Sequence, residues 1–277
     1  MKVTGTENFL AVVLAVCAVC APAAAAERAA AVPADASVEL AKKLQNPIAA
    51  LISVPVKLDL DTGIGPAEAD RSTYVVQPVV PISLNPEWNL ISRTIIPVYI
   101  EAESPVAGGG DTSGMGDVLQ SFFFSPKAPT ADGWIWGAGP VLSVPTASKD
   151  ALGTEKWGAG PTAVVLKQVN GWTYGALANH VWSFAGDDRR ADVSVTFLQP
   201  FLSYTTKTRT SIGLNTESTY DWKSSEWTVP LNLTVSQLLK IGQQPVSFLL
   251  GYRNYVDAPP GGPDWGIRFQ VTFLYPK

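Results

Sequence analysis

The stretch Trp265-Gly266-Ile267-Arg268-Phe269-Gln270-Val271-Thr272-Phe273-Leu274-Tyr275 decides the fold class. Trp265, Ile267, Phe269, Val271, Phe273 and Tyr275 recur at every second position, with Gly266, Arg268, Gln270 and Thr272 between them. Side chains of an extended strand point alternately to its two faces, so this segment meets something apolar on one side and something wet on the other. The alternation returns in Trp227, Val229, Leu231, Leu233 and Val235 against Thr228, Pro230, Asn232, Thr234 and Ser236. The runs Tyr74–Leu84, Ile52–Leu60 and Ser211–Tyr220 follow it less strictly. A soluble sandwich would turn such apolar faces onto a shared core, and a membrane barrel would turn them to lipid.

Two features favour lipid. Trp88, Trp134, Trp157, Trp172, Trp227 and Trp265 lie at or near the starts of runs, and Tyr99, Tyr204, Tyr220, Tyr255 and Tyr275 near ends. Strand ends sit at the two membrane interfaces, where amphipathic rings are favoured, so the pattern predicts two aromatic girdles. The second feature is the rhythm of the connections. Strands are expected near 50–61, 72–84, 88–101, 115–126, 133–145, 157–168, 172–184, 192–206, 208–220, 225–238, 244–256 and 264–276. Links after odd-numbered strands are long and rich in Gly and Pro: Gly63–Arg71, Ala102–Gly114, Thr146–Lys156, Ala185–Ala191 and Asp257–Pro263, with Asp221–Ser224 short. Links after even-numbered strands are tight: Asn85-Pro86-Glu87, Val169-Asn170-Gly171, Lys207 and Lys240–Gln243, with Lys127–Asp132 longer. Long outside and short inside is the pattern of an outer-membrane barrel with both termini in the periplasm. Proline within the runs (Pro55, Pro78, Pro81, Pro97, Pro140, Pro161, Pro200, Pro230) opposes this, because each removes a ladder donor. The expectation is a bulge or a local opening at these sites.

The start of the chain reads as an export signal: Met1-Lys2, an apolar stretch from Phe9 to Val19, then Ala24-Ala25-Ala26 before Glu27. Cleavage after Ala26 is favoured over lipidation at Cys17 or Cys20, because Val16 and Val19 are bulky for the residue before a lipidated cysteine. It would leave 277 − 26 = 251 residues without cysteine and with one histidine, His180. Thiol chemistry and cysteine metal sites are then excluded, and no cofactor or metal is expected. A net charge of −4 gives no basic stripe for nucleic acid. Charged residues are 16% of the chain and tryptophans number nine, a composition suited to a surface that faces lipid. Residues 27–47 form an Ala-rich segment with a short helix from Ser37 to Gln45, either periplasmic or a plug, and 48–277 form the barrel.

Several stretches of the chain stand out together. They are Leu44-Gln45-Asn46-Pro47 with Ile52-Ser53-Val54-Pro55, then Trp88-Asn89-Leu90-Ile91-Ser92-Arg93-Thr94-Ile95-Ile96-Pro97 and Phe122-Phe123-Phe124-Ser125-Pro126-Lys127. Trp157-Gly158-Ala159-Gly160-Pro161-Thr162, Phe197-Leu198-Gln199-Pro200-Phe201-Leu202-Ser203-Tyr204-Thr205-Thr206 and Asn215-Thr216-Glu217-Ser218 belong with them. Together they resemble a family of Gram-negative outer-membrane proteins labelled only as transporters, sometimes under the misleading label neuromedin U, and similar to the barrel group named for a phenol-degradation (MetA) pathway. The resemblance covers essentially the whole mature chain. It implies the barrel and carries over no substrate or catalytic residue.

Catalysis is weakly signalled. His180 has Asn179 and Ser183 nearby, but His180 and Ser183 are three apart on a strand and face opposite ways, leaving only a serine from another strand as partner. Gly108-Gly109-Gly110-Asp111 lacks the context of a phosphate or calcium loop, and Asp187-Asp188-Arg189-Arg190 reads as a solvated loop tip. The inward face says more. Lys57, Asp59, Arg93, Glu101, Glu217 and Arg268 are expected to line the pore, because Lys or Arg on the lipid side would cost roughly 2–4 kcal/mol at mid-depth. Barrel closure brings Arg268 near Lys57 and Asp59, as a wall salt bridge ahead of a solute-selecting constriction. The sequence therefore predicts an all-β, transmembrane, antiparallel up-and-down barrel of about twelve strands in the outer membrane. Its expected surroundings are lipid and lipopolysaccharide, its state monomeric, and its function passive passage of small solutes, hydrophobic or aromatic ones included. No enzyme activity is expected. The rival is a structural or interaction barrel with a filled lumen, and a lipid-modifying enzyme ranks third.

Overall fold

A computed structural model of the chain describes residues 34–276. The expected signal peptide at 1–26 lies outside the described residues, as do residues 27–33. A helix, α1 (Ala34–Leu44), comes first. Twelve strands follow and close into one antiparallel barrel. They are β1 (Ile52–Ile64), β2 in two pieces (Ala69–Val76 and Val79–Ser83), β3 (Trp88–Ala102), and β4 in two pieces (Thr112–Gly114 and Val118–Pro126). Next come β5 (Trp134–Val144), β6 (Lys156–Val169), β7 (Trp172–Gly186), β8 (Ser194–Thr205) and β9 in two pieces (Thr210–Thr216 and Ser218–Asp221). The last are β10 (Glu226–Ile241), β11 (Gln244–Asp257) and β12 (Trp265–Tyr275). Each pairs with its neighbours in the chain, and β12 pairs with β1 from Ile52↔Tyr275 to Thr62↔Trp265, so no edge is left open.

The outward face is apolar and exposed. Leu233 is 53% and Leu250 55% exposed, on the same side as Leu231, Val235, Phe248 and Phe269, while the alternate Asn232, Ser236 and Thr272 are buried. A water-soluble sandwich would cover such a band; a barrel wall gives it to lipid. Rings cluster at both strand ends. Trp134 meets Tyr174, and Trp172 meets Tyr204, at the short-turn end. Tyr220 meets Trp222 and Trp227, and Tyr252 meets Trp265, at the other. Tyr255 is a correction: it does not join a girdle, because it lies two residues from Arg253 on the inward face and its hydroxyl donates to Asp61 at 2.8 Å.

The connections keep the expected alternation with a smaller contrast. β1 runs to Ile64 and β2 resumes at Ala69, so the first link is short. The single-residue link at Lys207 widens to 206–209. Links at 103–111 and 145–155 stay long. Between β6 and β7 the chain reverses at Asn170 and Gly171, both with positive φ (50° and 86°), the two-residue turn whose twist matches the strands it joins.

The prolines mostly open the ladder without adding a residue. Pairing on both sides of Pro78 keeps one register: Val76↔Ile96 continues as Val79↔Arg93. Around Glu217 the same holds on two sides, with Phe201↔Asn215 and Leu198↔Ser218 on β8, and Thr216↔Leu231 and Thr219↔Thr228 on β10. Pro200 and Pro230 lie in those two unpaired stretches, where neither can donate. Register shifts occur instead beside Pro97 and beside Pro230.

Two apolar clusters sit inside the barrel. Ile48, Val79, Ile91, Phe123, Val164, Leu166 and Leu177 form one. The other joins Ala41 and partly buried Leu40 and Leu44 of α1 to Ala49, Leu51, Leu238 and Leu274. Leu238 and Leu274 are inward-facing at the short-turn end, and inward Gln168 donates to the Lys42 carbonyl at 2.8 Å. The described part of the N-terminal segment therefore rests inside that end of the lumen. Helical spacing of Leu40, Ala41 and Leu44 supplies its apolar stripe.

Candidate functional site

The inward face carries a ladder of charges across the seam where the barrel closes. Asp59 on β1 stands opposite Arg268 on β12. Arg268 donates twice to it, Nε to Oδ1 at 2.6 Å and Nη2 to Oδ2 at 2.8 Å. The same guanidinium donates Nη1 and Nη2 to the two oxygens of Glu217 at 2.8 and 2.9 Å. Planar forked geometry lets one arginine make a two-bond contact to each of two carboxylates, whereas a lysine ammonium meets a carboxylate as a point charge. Arg253 on β11 extends the ladder, 3.0 Å from Asp59 and 3.7 Å from Asp61, and its guanidinium lies over the Tyr255 ring. Arg71 on β2 reaches Asp61 at 3.4 Å. Asp59, Asp61, Arg253 and Arg268 are all buried.

Lys57 is on the same face but takes no part in the seam pair. Its ammonium donates to the Gln77 side chain at 2.8 Å. Arg93 on β3, opposite Val79 and Ser121, also faces inward. A lumen cavity of about 230 Å³ is lined by Lys57, Gln77, Arg93, Glu217 and Arg268, and by Lys43–Pro47 at the short-turn end. Val79 and Phe201 form part of its apolar wall.

Of the six residues expected to line the pore, the structure brings Lys57, Asp59, Arg93, Glu217 and Arg268 together. Glu101 is the correction. It is eight residues from Arg93, which on an unbroken strand means the same face. However, Tyr74 pairs with Tyr99 and Val75 with Pro97, so Val98 is an extra residue and the face is exchanged. Glu101 then pairs with Ser72 and, exposed, lies on the outward side with Tyr74 and Tyr99 near the long-loop end. Three lumen charges escaped sequence reading: Asp61, Arg71 and Arg253. Asp61 follows Asp59 at the strand period and was legible. Arg253 was not, because Leu249 and Leu250 are both apolar and leave the faces of β11 undefined.

His180 faces outward. Its ring lies 4.2 Å from that of Trp182, Nδ1 bonds the Thr196 hydroxyl at 2.7 Å, and Nε2 is 3.4 Å from the Ser194 hydroxyl. Trp222 also donates to Thr196, at 2.8 Å. Asp187 and Arg189 form an ion pair at the loop tip, with the arginine holding the carboxyl below its usual range. Asp192 is lowered likewise, chiefly by Lys156. Among the described residues no group of His, Cys, Asp and Glu is arranged to hold a metal.

Comparison with known proteins adds to this at the level of architecture. The COG4313 outer membrane channel from Pseudomonas putida F1 superposes with a TM-score of 0.64 at 16% identity, covering 82% of this chain and 96% of that one. What the two share is the barrel. The β domain of the Bordetella autotransporter Brka aligns more loosely, with a TM-score of 0.46 at 11% identity over 82% of this chain and 100% of that one. No protein-family model and no curated protein sequence matches the chain.

Proposed function

We propose that the protein is an outer-membrane channel for passive passage of small solutes. The observation that carries this is the lumen cavity of about 230 Å³ enclosed by a closed barrel whose outer wall is apolar. Sites for drug-sized ligands run to roughly 300–1,000 Å³, so the solutes are smaller than that. The charged ladder fixes the wall at the closure seam and sets the potential along the route. The segment from α1 to Leu51 narrows the short-turn end.

A second route is favoured by one feature. Around Glu217 the ladder is interrupted toward β8 and toward β10 at nearly the same height, with Pro200 and Pro230 beside the breaks. Apolar solutes would leave the lumen sideways there, into lipid. Purified, folded protein in planar bilayers should give discrete current steps, and vesicles containing it should take up small aromatics. Current without aromatic uptake would rule out the sideways route. Neither current nor uptake would leave a filled, structural barrel as the better account.

A further inference from the structure

We infer that the lumen cavity holds a binding site for small apolar monocarboxylates, with Arg93 and Lys57 taking the carboxylate. The inference deepens the channel reading and rests on it.

The charge balance of the inward face supports it. Lys57, Arg71, Arg93, Arg253 and Arg268 are cationic and Asp59, Asp61 and Glu217 anionic, so the ladder carries 5 − 3 = 2 excess positive charges. The excess is localised. Arg268 is ion-paired with Asp59 and Glu217, Arg253 with Asp59 and Asp61, and Arg71 with Asp61, so these three cations face three carboxylates. Both Glu217 oxygens already accept from Arg268. Within the ladder two cations are left over: Lys57, bonded to a neutral amide, and Arg93, which makes no side-chain hydrogen bond or ion pair with any described residue; Lys43, next to the end of α1, adds a further positive charge to the lining of the cavity. Both open on the one cavity. A guanidinium in a confined, weakly hydrated space is a forked donor for a carboxylate, and the ammonium adds a second charge at low directional cost.

The apolar side of the cavity selects the rest of the molecule. Val79 is the cross-strand neighbour of Arg93 on the same wall, and Phe201, from β8, lines the same cavity. Both belong to or pack on the apolar cluster containing Ile91 and Phe123. A solute with one carboxylate and a compact hydrocarbon or aromatic body satisfies both sides. A neutral analogue leaves the cations as they are, and a cationic one meets like charge.

The test is equilibrium binding of benzoate, benzamide and benzylamine to the full protein in a non-ionic detergent, by calorimetry. Benzoate should bind at least about tenfold tighter than benzamide, and benzylamine not detectably, the discrimination expected of a charge-assisted hydrogen bond. Arg93→Gln and Lys57→Gln should each weaken benzoate by roughly tenfold and leave benzamide unchanged, in protein whose unboiled band shows it is folded. Equal affinity for benzoate and benzamide, or benzoate binding unchanged in both variants, would overturn the site. The channel reading is tested separately by current and uptake. Solute passage without carboxylate preference removes this site and keeps the channel, and carboxylate binding without passage does the reverse.

Discussion

Replacing Asp59 by asparagine tests whether the lumen ladder holds the barrel closed. Asp59 accepts three contacts across the seam: two from Arg268 at 2.6 and 2.8 Å and one from Arg253 at 3.0 Å. The amide keeps one accepting oxygen and presents an NH2 group to the guanidinium groups that shared Oδ2. One charge-assisted hydrogen bond, worth about 1.5–3 kcal/mol before re-solvation, is lost together with the ion pair to Arg253. Arg268 keeps Glu217, and Arg253 keeps Asp61 at longer range, so neither cation is left alone. Lumen water repays part of the loss, and a net cost of about 2–3 kcal/mol follows, below the roughly 3–5 kcal/mol of orphaning a buried charge. At about 2–4 °C per kcal/mol for a domain of this size, the temperature at which the folded band disappears should fall by roughly 4–12 °C. The assay is electrophoresis without boiling after a fixed heating time, because detergent-held barrels unfold irreversibly and the midpoint is operational. Glu217→Gln removes one of two bonds to a single arginine and should give about half the shift. Glu101→Gln, outside the ladder, should fall within about 0.5 kcal/mol of the parent. If Asp59→Asn and Glu101→Gln lose the folded band at the same temperature, the ladder does not hold the seam.

Other perturbations reach other parts of the molecule. Gly109→Cys, in the long 103–111 link, should react with an impermeant maleimide on intact cells, and Asn170→Cys only after the outer membrane is opened; the reverse pattern would invert the barrel. Gly171→Ala places a Cβ 2.9 Å from the Thr205 carbonyl at a φ of 86°, and should cost about 1–2 kcal/mol in the same heating assay. Asp187 and Asp192 have lowered pKa values in the folded loop, so their contribution is complete above the ordinary aspartate value of about 3.9 and is lost as pH falls through the folded values. Tryptophan fluorescence from Trp182 and Trp222, which flank Asp192, should therefore be flat from pH 7 to about 4 and change only below it.

Sequence alone determined the class of fold and the content of its two faces. Period two is a local property of an extended chain, so Trp265 to Tyr275 declare an apolar and a polar side before any partner is known. Link lengths and end aromatics then distinguish lipid from a shared core. Parity also placed Lys57, Asp59 and Arg268 correctly relative to one another, because β1 and β12 keep one register from end to end. Only the tertiary structure decided the rest. Parity fails at a bulge, and the extra residue at Val98 carried Glu101 out of the lumen while leaving no mark in composition. It is also silent where both faces are apolar, which hid Arg253. Which cations are neutralised depends on side chains from five strands meeting across the lumen. Asp59, Arg253, Arg268 and Glu217 are far apart in sequence, and the circumference of the barrel alone sets them within hydrogen-bonding reach, leaving Arg93 and Lys57 with charge to spare.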